Sequence, residues 1–307
     1  MKNNIMYCYK LTIENIYQNN NYYYFYINNE RYEFTIYERD IKEQNAIYEL
    51  NQKMINSNTL VHEIIKNKDN YIVTFINNIP YILYKIYINK DKEISLQELT
   101  HLSNYIYEYD EILKRNNWDI LWSKKIDYLE YQINQIGKKY PLLVDSFSYF
   151  AGLAENAISY AKNTEIETQK EKSDINTISH RKIKEESKLN SIYDPQNIVM
   201  DHKSRDLAEY IKLSFLKNNQ YIFEELDIHF SNNYYSNYGI RLLFARLLYP
   251  SIYIELYEEI IQNKKQEIEI LNITNRINEY ENYLNNLFIY LKSFYNIPEI
   301  EWLKKRS

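Results

Sequence analysis

"NIVMDHKSRDLAEYI", Asn197 to Ile211, joins a short apolar run to an amphipathic helix across two acids. Ile198, Val199 and Met200 have the composition of a buried strand, and Asp201 ends it. Leu207, Ile211 and then Phe215 recur four residues apart, so they share one helical face, with Ser204 or Asp206 placed to cap the start. The two acids therefore have different surroundings. Asp201 stands at the end of a strand, where a carboxylate can face a ligand. Asp206 stands at a helix N-terminus, where backbone N–H groups need acceptors.

Upstream, the first 90 residues read as strands around one helix. "NYYYFYINNERYEFTIYE" places two aromatic runs about Asn28-Asn29, a hairpin signal. "IKEQNAIYELNQKMI" spaces Ile41, Ile47, Leu50 and Met54 as a helix does, and "NYIVTFINNIPYILYKIYI" predicts a second hairpin at Asn77-Asn78, with Pro80 just inside its second strand. From about Ser95 the pattern turns helical. Leu99, Leu102, Ile106, Tyr109 and Leu113 predict one helix through "LQELTHLSNYIYEYDEILKR". Further helices are expected at 123–136, stopped by Gly137, and at 142–162, 204–217, 239–262 with a kink or break at Pro250, and 270–294. Residues 163–192 are polar and mixed in charge, and read as a surface loop. The expected division is a small sheet-rich lobe, 1–90, and a helical lobe, 91–307.

Composition sets limits on function. The chain has 307 residues, enough for two lobes, and a formal charge of -5, which argues against a general nucleic-acid binder. No segment has the apolar length of a signal peptide or a membrane span, which predicts cytoplasmic synthesis. A single cysteine, Cys8, excludes an internal disulfide framework and any multi-thiolate metal site. His62, His101, His180, His202 and His229 lack metal-ligand spacing. The 35 Tyr and only 3 Gly stand out. Codon bias of an AT-rich genome accounts for them, and selection for tyrosine as a sticky or cross-linkable residue is the competing reading.

Two segments carry a family resemblance. "DHKSRDLAEYI" and "RLLFARLLYPSIYIELYEEI", Arg241 to Ile260, together resemble the endospore coat proteins of the CotS/YutH type, relatives of the aminoglycoside phosphotransferases and choline kinases. The resemblance implies an α+β, two-lobed protein-kinase-like fold. It also implies a spore-coat setting, with other coat proteins as partners.

Phosphoryl transfer needs a phosphate-cradling loop, an anchoring lysine, a loop aspartate and metal ligands. No glycine precedes Gly137, so the glycine-rich loop is absent. The strand "YEFTIYE", where the resemblance puts the lysine, has none, and Tyr37 stands in that stretch. Glu43 and Glu49 then lack their partner and read as solvated helix charges, with Lys42 a distant substitute. In "ISHRKI", His180 matches the catalytic-loop histidine, Arg181 the middle position, and Lys182 the aspartate. An ammonium cannot take a hydroxyl proton at neutral pH unless its pKa is strongly depressed. A second alignment makes Asp194 the base, with Asn197 and Asp201 as nucleotide or metal ligands, although Asp194 to Asn197 is shorter than the family's loop. Asp201 to Asp206 also looks trimmed for a metal loop, and Asp206 fits a structural helix-start role. Arg205, Arg241 and Arg246 read either as an anion site or, more commonly for helix faces, as salt-bridge partners of Glu209, Glu255 or Glu258.

These readings predict a catalytically degenerate, tyrosine-rich kinase-like protein that acts by binding or assembly and needs no cofactor. The alternative is an atypical phosphotransferase acting on an alcohol group with ATP and magnesium.

Overall fold

In the computed structural model, residues 1–19, 22–90, 92–183 and 187–304 are described. In chain order, α1 (Lys2–Tyr9) precedes β1 (Ile16–Asn19), β2 (Tyr22–Ile27) and β3 (Glu30–Ile36). Next come α2 (Gln44–Asn56), β4 (Glu63–Ile65), β5 (Val73–Ile76) and β6 (Ile79–Ile86). The six strands form one antiparallel sheet in the order β1-β2-β3-β6, with β4 and β5 both pairing β6. Both hairpins turn on Asn-Asn pairs in left-handed backbone: φ is 50° and 65° at Asn28 and Asn29, and 51° and 64° at Asn77 and Asn78. That is the type I′ geometry whose twist matches paired strands.

Alternation along the strands sorts the sheet into two faces. Phe25, Phe34 and Leu83 point to one side and pack with Ile5 and Tyr9 of α1 and with Ile13. Tyr22, Tyr24 and Tyr26 fall on the opposite side, opposite Thr35, Glu33 and Arg31 in register. Asn51 of α2 ties its helix to the sheet: Nδ2 donates to His62 O at 2.7 Å, and Oδ1 accepts from Ile64 N at 3.0 Å.

The helix expected through Leu96–Arg115 is much shorter. α3 (Leu96–His101) starts on a capping box between Ser95 and Glu98 and gives way to a 3-10 turn, Leu102–Asn104. Beyond it Tyr105, Tyr107 and Tyr109 are half-buried while Ile106, Glu108 and Asp110 are exposed, a period of two that only extended chain produces. Ile106, expected on the buried face, is 72% exposed.

The region read as a surface loop is also corrected, apart from 184–186, which lie outside the described residues. Its first residues continue a helix, and Asn176–His180 is a strand, β7, paired with β8 (Ile198–His202). Thr177, Ile178, Ser179 and His180 are all buried. A strand with Asn, Thr, Ser and His lacks the apolar signature that periodicity detects.

The remaining elements are helical: α4 (Trp118–Ile136), α5 (Pro141–Glu167), α6 (Ser204–Leu216), α7 (Ile222–Asn232), α8 (Asn237–Leu248), α9 (Ser251–Ile261), α10 (Leu271–Thr274), α11 (Ile277–Lys292) and α12 (Glu301–Lys304). α5 packs on α4 and α8, and α8 on α6 and α11. Pro250 separates α8 from α9 as a full break. Among the described residues no helix is long and apolar enough to cross a membrane.

Two compact units result. One is Met1–Arg115 with Asn176–Asp201, and the other is Asn116–Ile175 with His202–Ser307. The expected boundary near residue 90 falls inside the first unit, because β7 and β8 return to it and Arg115 N donates to Met200 O at 2.9 Å.

Candidate functional site: a closed polar loop

β7 and β8 frame the loop that holds most of the expected site residues. His180, at the end of β7, is 1% exposed, and its Nε2 donates to Ile192 O at 3.0 Å. Arg181 N donates to Asn197 O at 2.7 Å, and its guanidinium to Gln196 O at 3.4 Å. Lys182 is exposed. Its backbone is held from both sides by one carboxamide. Lys182 N donates to Asn197 Oδ1 at 3.0 Å, and Asn197 Nδ2 donates back to Lys182 O at 2.9 Å and to Ser191 O at 3.4 Å. His180, Arg181, Lys182 and Asn197 are thus brought together by backbone pairing across the loop.

Asp194 caps the short turn Pro195–Asn197, accepting from Gln196 N at 2.8 Å. Burial pushes its carboxyl up to about 6, against the hydrogen bond from Gln196 N and the nearby Tyr84 phenol, and the charges of Glu33 and Glu38 push the same way as burial. Burial, and then Asp194 itself, raise the Tyr84 phenol well above its ordinary value.

The turn is locked to the end of β3. Gln196 Oε1 accepts from Glu38 N at 2.7 Å and its Nε2 donates to Ile36 O at 3.2 Å, so the side chain pairs with backbone as a neighbouring strand would. Arg39, 6% exposed, donates to Gln196 O at 3.0 Å, to Ile198 O, and through Nε to Glu43 Oε2 at 2.7 Å. Glu43 also pairs with Arg115. Glu43 is therefore a buried ion-pair partner, 8% exposed, and not the solvated helix charge expected. Where the family layout puts a lysine, Tyr37 is buried, its phenol raised to about 12 by that burial. Arg39, Gln196 and Tyr84 are the residues that sequence reasoning missed. Only the Arg39–Glu43 spacing of four carried a signal.

Asp201 is 0% exposed on β8. Magnesium binds oxygen ligands while keeping several of its waters, which requires an open site. With the Asn197 carboxamide closed onto Lys182 and Asp201 fully buried, these residues as arranged do not fit that ion.

Asp206 lies in the first turn of α6 and is 1% exposed. Burial, and then the Asp206 charge, drive the Tyr235 phenol far up. Two of the three arginines pair with carboxylates. Arg246 Nε donates to Glu209 at 2.8 Å and its guanidinium lies 4.9 Å from the Trp118 ring, while Arg241 pairs with Glu167 at 3.1 Å. Burial pushes the Glu209 carboxyl up, but Lys212, Arg246 and Arg205 outweigh it and hold it at about 2.

Residues 2–288 match the protein family described as "Spore coat putative kinase YutH". The chain belongs to that family. The endospore coat-associated protein YutH of Bacillus subtilis (strain 168) is 32% identical over 226 residues, covering 66% of this chain and 66% of that protein. The chain thus matches just under two thirds of that relative's length. YutH-family membership agrees with the fold seen in solved structures. An aminoglycoside phosphotransferase from Alicyclobacillus acidocaldarius superposes with a TM-score of 0.64 at 11% identity, over 93% of this chain and 95% of the other. A microcompartment-associated aminopropanol kinase gives 0.56 at 10% identity, over 94% and 96%. A spectinomycin phosphotransferase bound to ADP and spectinomycin gives 0.55 at 12%, over 95% and 93%. At such identities the likeness establishes the kinase-like fold and nothing about catalysis.

Proposed function

We propose that this YutH-family protein is a catalytically degenerate kinase-like protein that serves the endospore coat through binding or assembly with other coat proteins. The observation that carries the reading is the reciprocal pair between the Asn197 carboxamide and the Lys182 backbone. It spends a metal-ligand side chain on closing the loop, next to a lysine where a base would stand. Electrostatics act in the same direction. Glu33 and Glu38 lie near enough to Asp194 to raise its cost of ionisation, a poor setting for a polyphosphate. The coat association of the Bacillus subtilis relative supports the setting.

The second reading, an atypical phosphotransferase, draws on the Asp194 carboxyl. A value of about 6 suits a general base at neutral pH. The two readings separate in one experiment. A ligand at a hundred times its Kd stabilises a protein by about 2.7 kcal/mol, which is several degrees in Tm. Melting curves with millimolar ATP or GTP, with and without magnesium, are expected to coincide. A magnesium-dependent rise of several degrees that Asp201→Asn abolishes would overturn the proposal in favour of the enzyme.

A further inference from the structure

α4 carries apolar side chains on two opposite faces. Trp118, Trp122, Ile126, Leu129 and Ile133 are buried on one of them. On the other, Ile120, Leu121, Tyr128 and Tyr131 are between 45% and 66% exposed. A helix that only covers a core presents polar residues to water, so a second apolar stripe marks a surface that meets another molecule. At about 100° per residue, Ile120, Lys124, Asp127, Tyr128 and Tyr131 share a sector roughly 100° wide, with Leu121 at its border. Ile120, Lys124, Asp127 and Tyr131 follow one another four, three and four positions apart, the spacing of a seam between two paired helices.

The charges in that seam select what covers it. Lys124 and Asp127 are both exposed, and among the described residues neither has a hydrogen-bond or ion-pair partner. The neighbouring Lys125 is taken by Glu258. Lys124 and Asp127 lie equally far from the midpoint of the stripe, and so do Ile120 and Tyr131. A second α4 laid antiparallel across a twofold axis at that midpoint therefore sets Lys124 against Asp127 twice, and Ile120 against Tyr131 twice. A parallel pair would instead set Lys124 against Lys124 and Asp127 against Asp127, which is repulsive. The stripe is complementary to itself in the antiparallel orientation.

We propose that a second copy of this chain covers the stripe, the two α4 helices packing antiparallel in a twofold dimer with the Lys124–Asp127 pairs at its centre and the Ile120–Tyr131 contacts on either side. The surface is separate from the β7–β8 loop, so the dimer stands whichever reading of that loop is correct.

Sedimentation velocity of the full chain over about 1–300 µM tests it. One helix pair lies at the small end of specific interfaces, so a monomer–dimer equilibrium with Kd of about 10–100 µM is expected. Lys124→Glu and Asp127→Lys should each weaken the dimer about tenfold, because each sets like charges against one another at both sites. An equimolar mixture of those two variants should dimerise as the parent does, since the mixed pair again sets opposite charges together twice. Tyr131→Ser leaves the charges in place and should also weaken the dimer about tenfold. All three positions are exposed, and circular dichroism checks that each variant keeps the parent's helix content. A chain that stays monomeric throughout this range overturns the proposal. So does a dimer that Tyr131→Ser leaves untouched, or one that the two charge variants weaken singly and their mixture fails to restore.

Discussion

Asparagine does at the residue scale what glycine does in most proteins. Nine of the ten non-glycine residues described in left-handed backbone are Asn, from Asn28 to Asn263, and no glycine is. A short side chain that bonds locally tolerates that conformation better than any other non-glycine residue. A chain with only 3 Gly needed a substitute, and its abundant Asn acquires that structural use. Gly239 serves closeness. A Cβ on Gly239 would sit 2.9 Å from His202 Cε1 and 3.3 Å from Asp174 Oδ1. These belong to a buried knot in which His202 Nε2 donates to Asp174 at 3.1 Å and Ser236 Oγ donates to it at 2.6 Å. Gly239→Ala would gain about 0.5–1 kcal/mol of helix propensity, but overpacking costs about 1–3 kcal/mol. A net loss is expected, read as a lower denaturation midpoint with unchanged m-value. A midpoint that rises would mean that the His202 ring moves aside freely. Position 239 was legible as a helix residue, but its need to be glycine was not, because Asp174 and His202 are distant in sequence.

Elements were readable where one periodicity dominated. The hairpins at Asn28-Asn29 and Asn77-Asn78, the break at Pro250 and the strand-to-helix passage around Asp201 all follow from local pattern and turn chemistry. Residues 102–110 were misread because Leu102, Ile106, Tyr109 and Leu113 fit a helix while Tyr105, Tyr107 and Tyr109 fit extended chain. Aromatic residues lose rotamer freedom in a helix, which tilts such a tie toward the extended form. β7 escaped because its buried positions are Thr, Ser and His. The hairpin reading predicts opposite outcomes at one position. Asn78→Gly should raise stability by a few tenths of a kcal/mol, and Asn78→Val should lower it by more than about 1 kcal/mol, since a β-branched residue is a true outlier at positive φ. Urea melts of the two variants check this. Similar midpoints would show that the β5–β6 turn is not held in the type I′ form.

For the whole molecule, the kinase-like plan was legible from two helical segments and a strand, whereas the site was legible only as missing parts. What fills the gaps has no local signature beyond the Arg39–Glu43 spacing of four: Glu43 and Arg115 are 72 positions apart, and the Gln196 bridge to Ile36 and Glu38 spans about 160. Buried titratable groups give the protein opposed pH responses. Burial lowers His62 and His229 to about 4, below the ordinary 6.5, so each contributes stability above pH 6.5 that is lost as pH falls through 4. Asp194 runs the other way. Its carboxyl is raised from 3.8 to about 6, so its contribution is full below pH 3.8 and is lost as pH rises through 6. Asp194→Asn keeps an oxygen to cap the turn and removes the charge. It is expected to stabilise the protein at pH 7.5 by about 1–3 kcal/mol, toward the lower end because Asp194 keeps some solvent contact, and the gain should vanish by pH 4. With the opposing acid gone, the two histidines act alone, and the variant's Tm should fall more steeply than the parent's from pH 6.5 to 4. Melting curves across pH 4–8 read both effects. A gain in Tm that is the same at every pH would mean that Asp194 ionises in the fold as it does in water, and that the acidic face around Glu33 and Glu38 exerts no field on it.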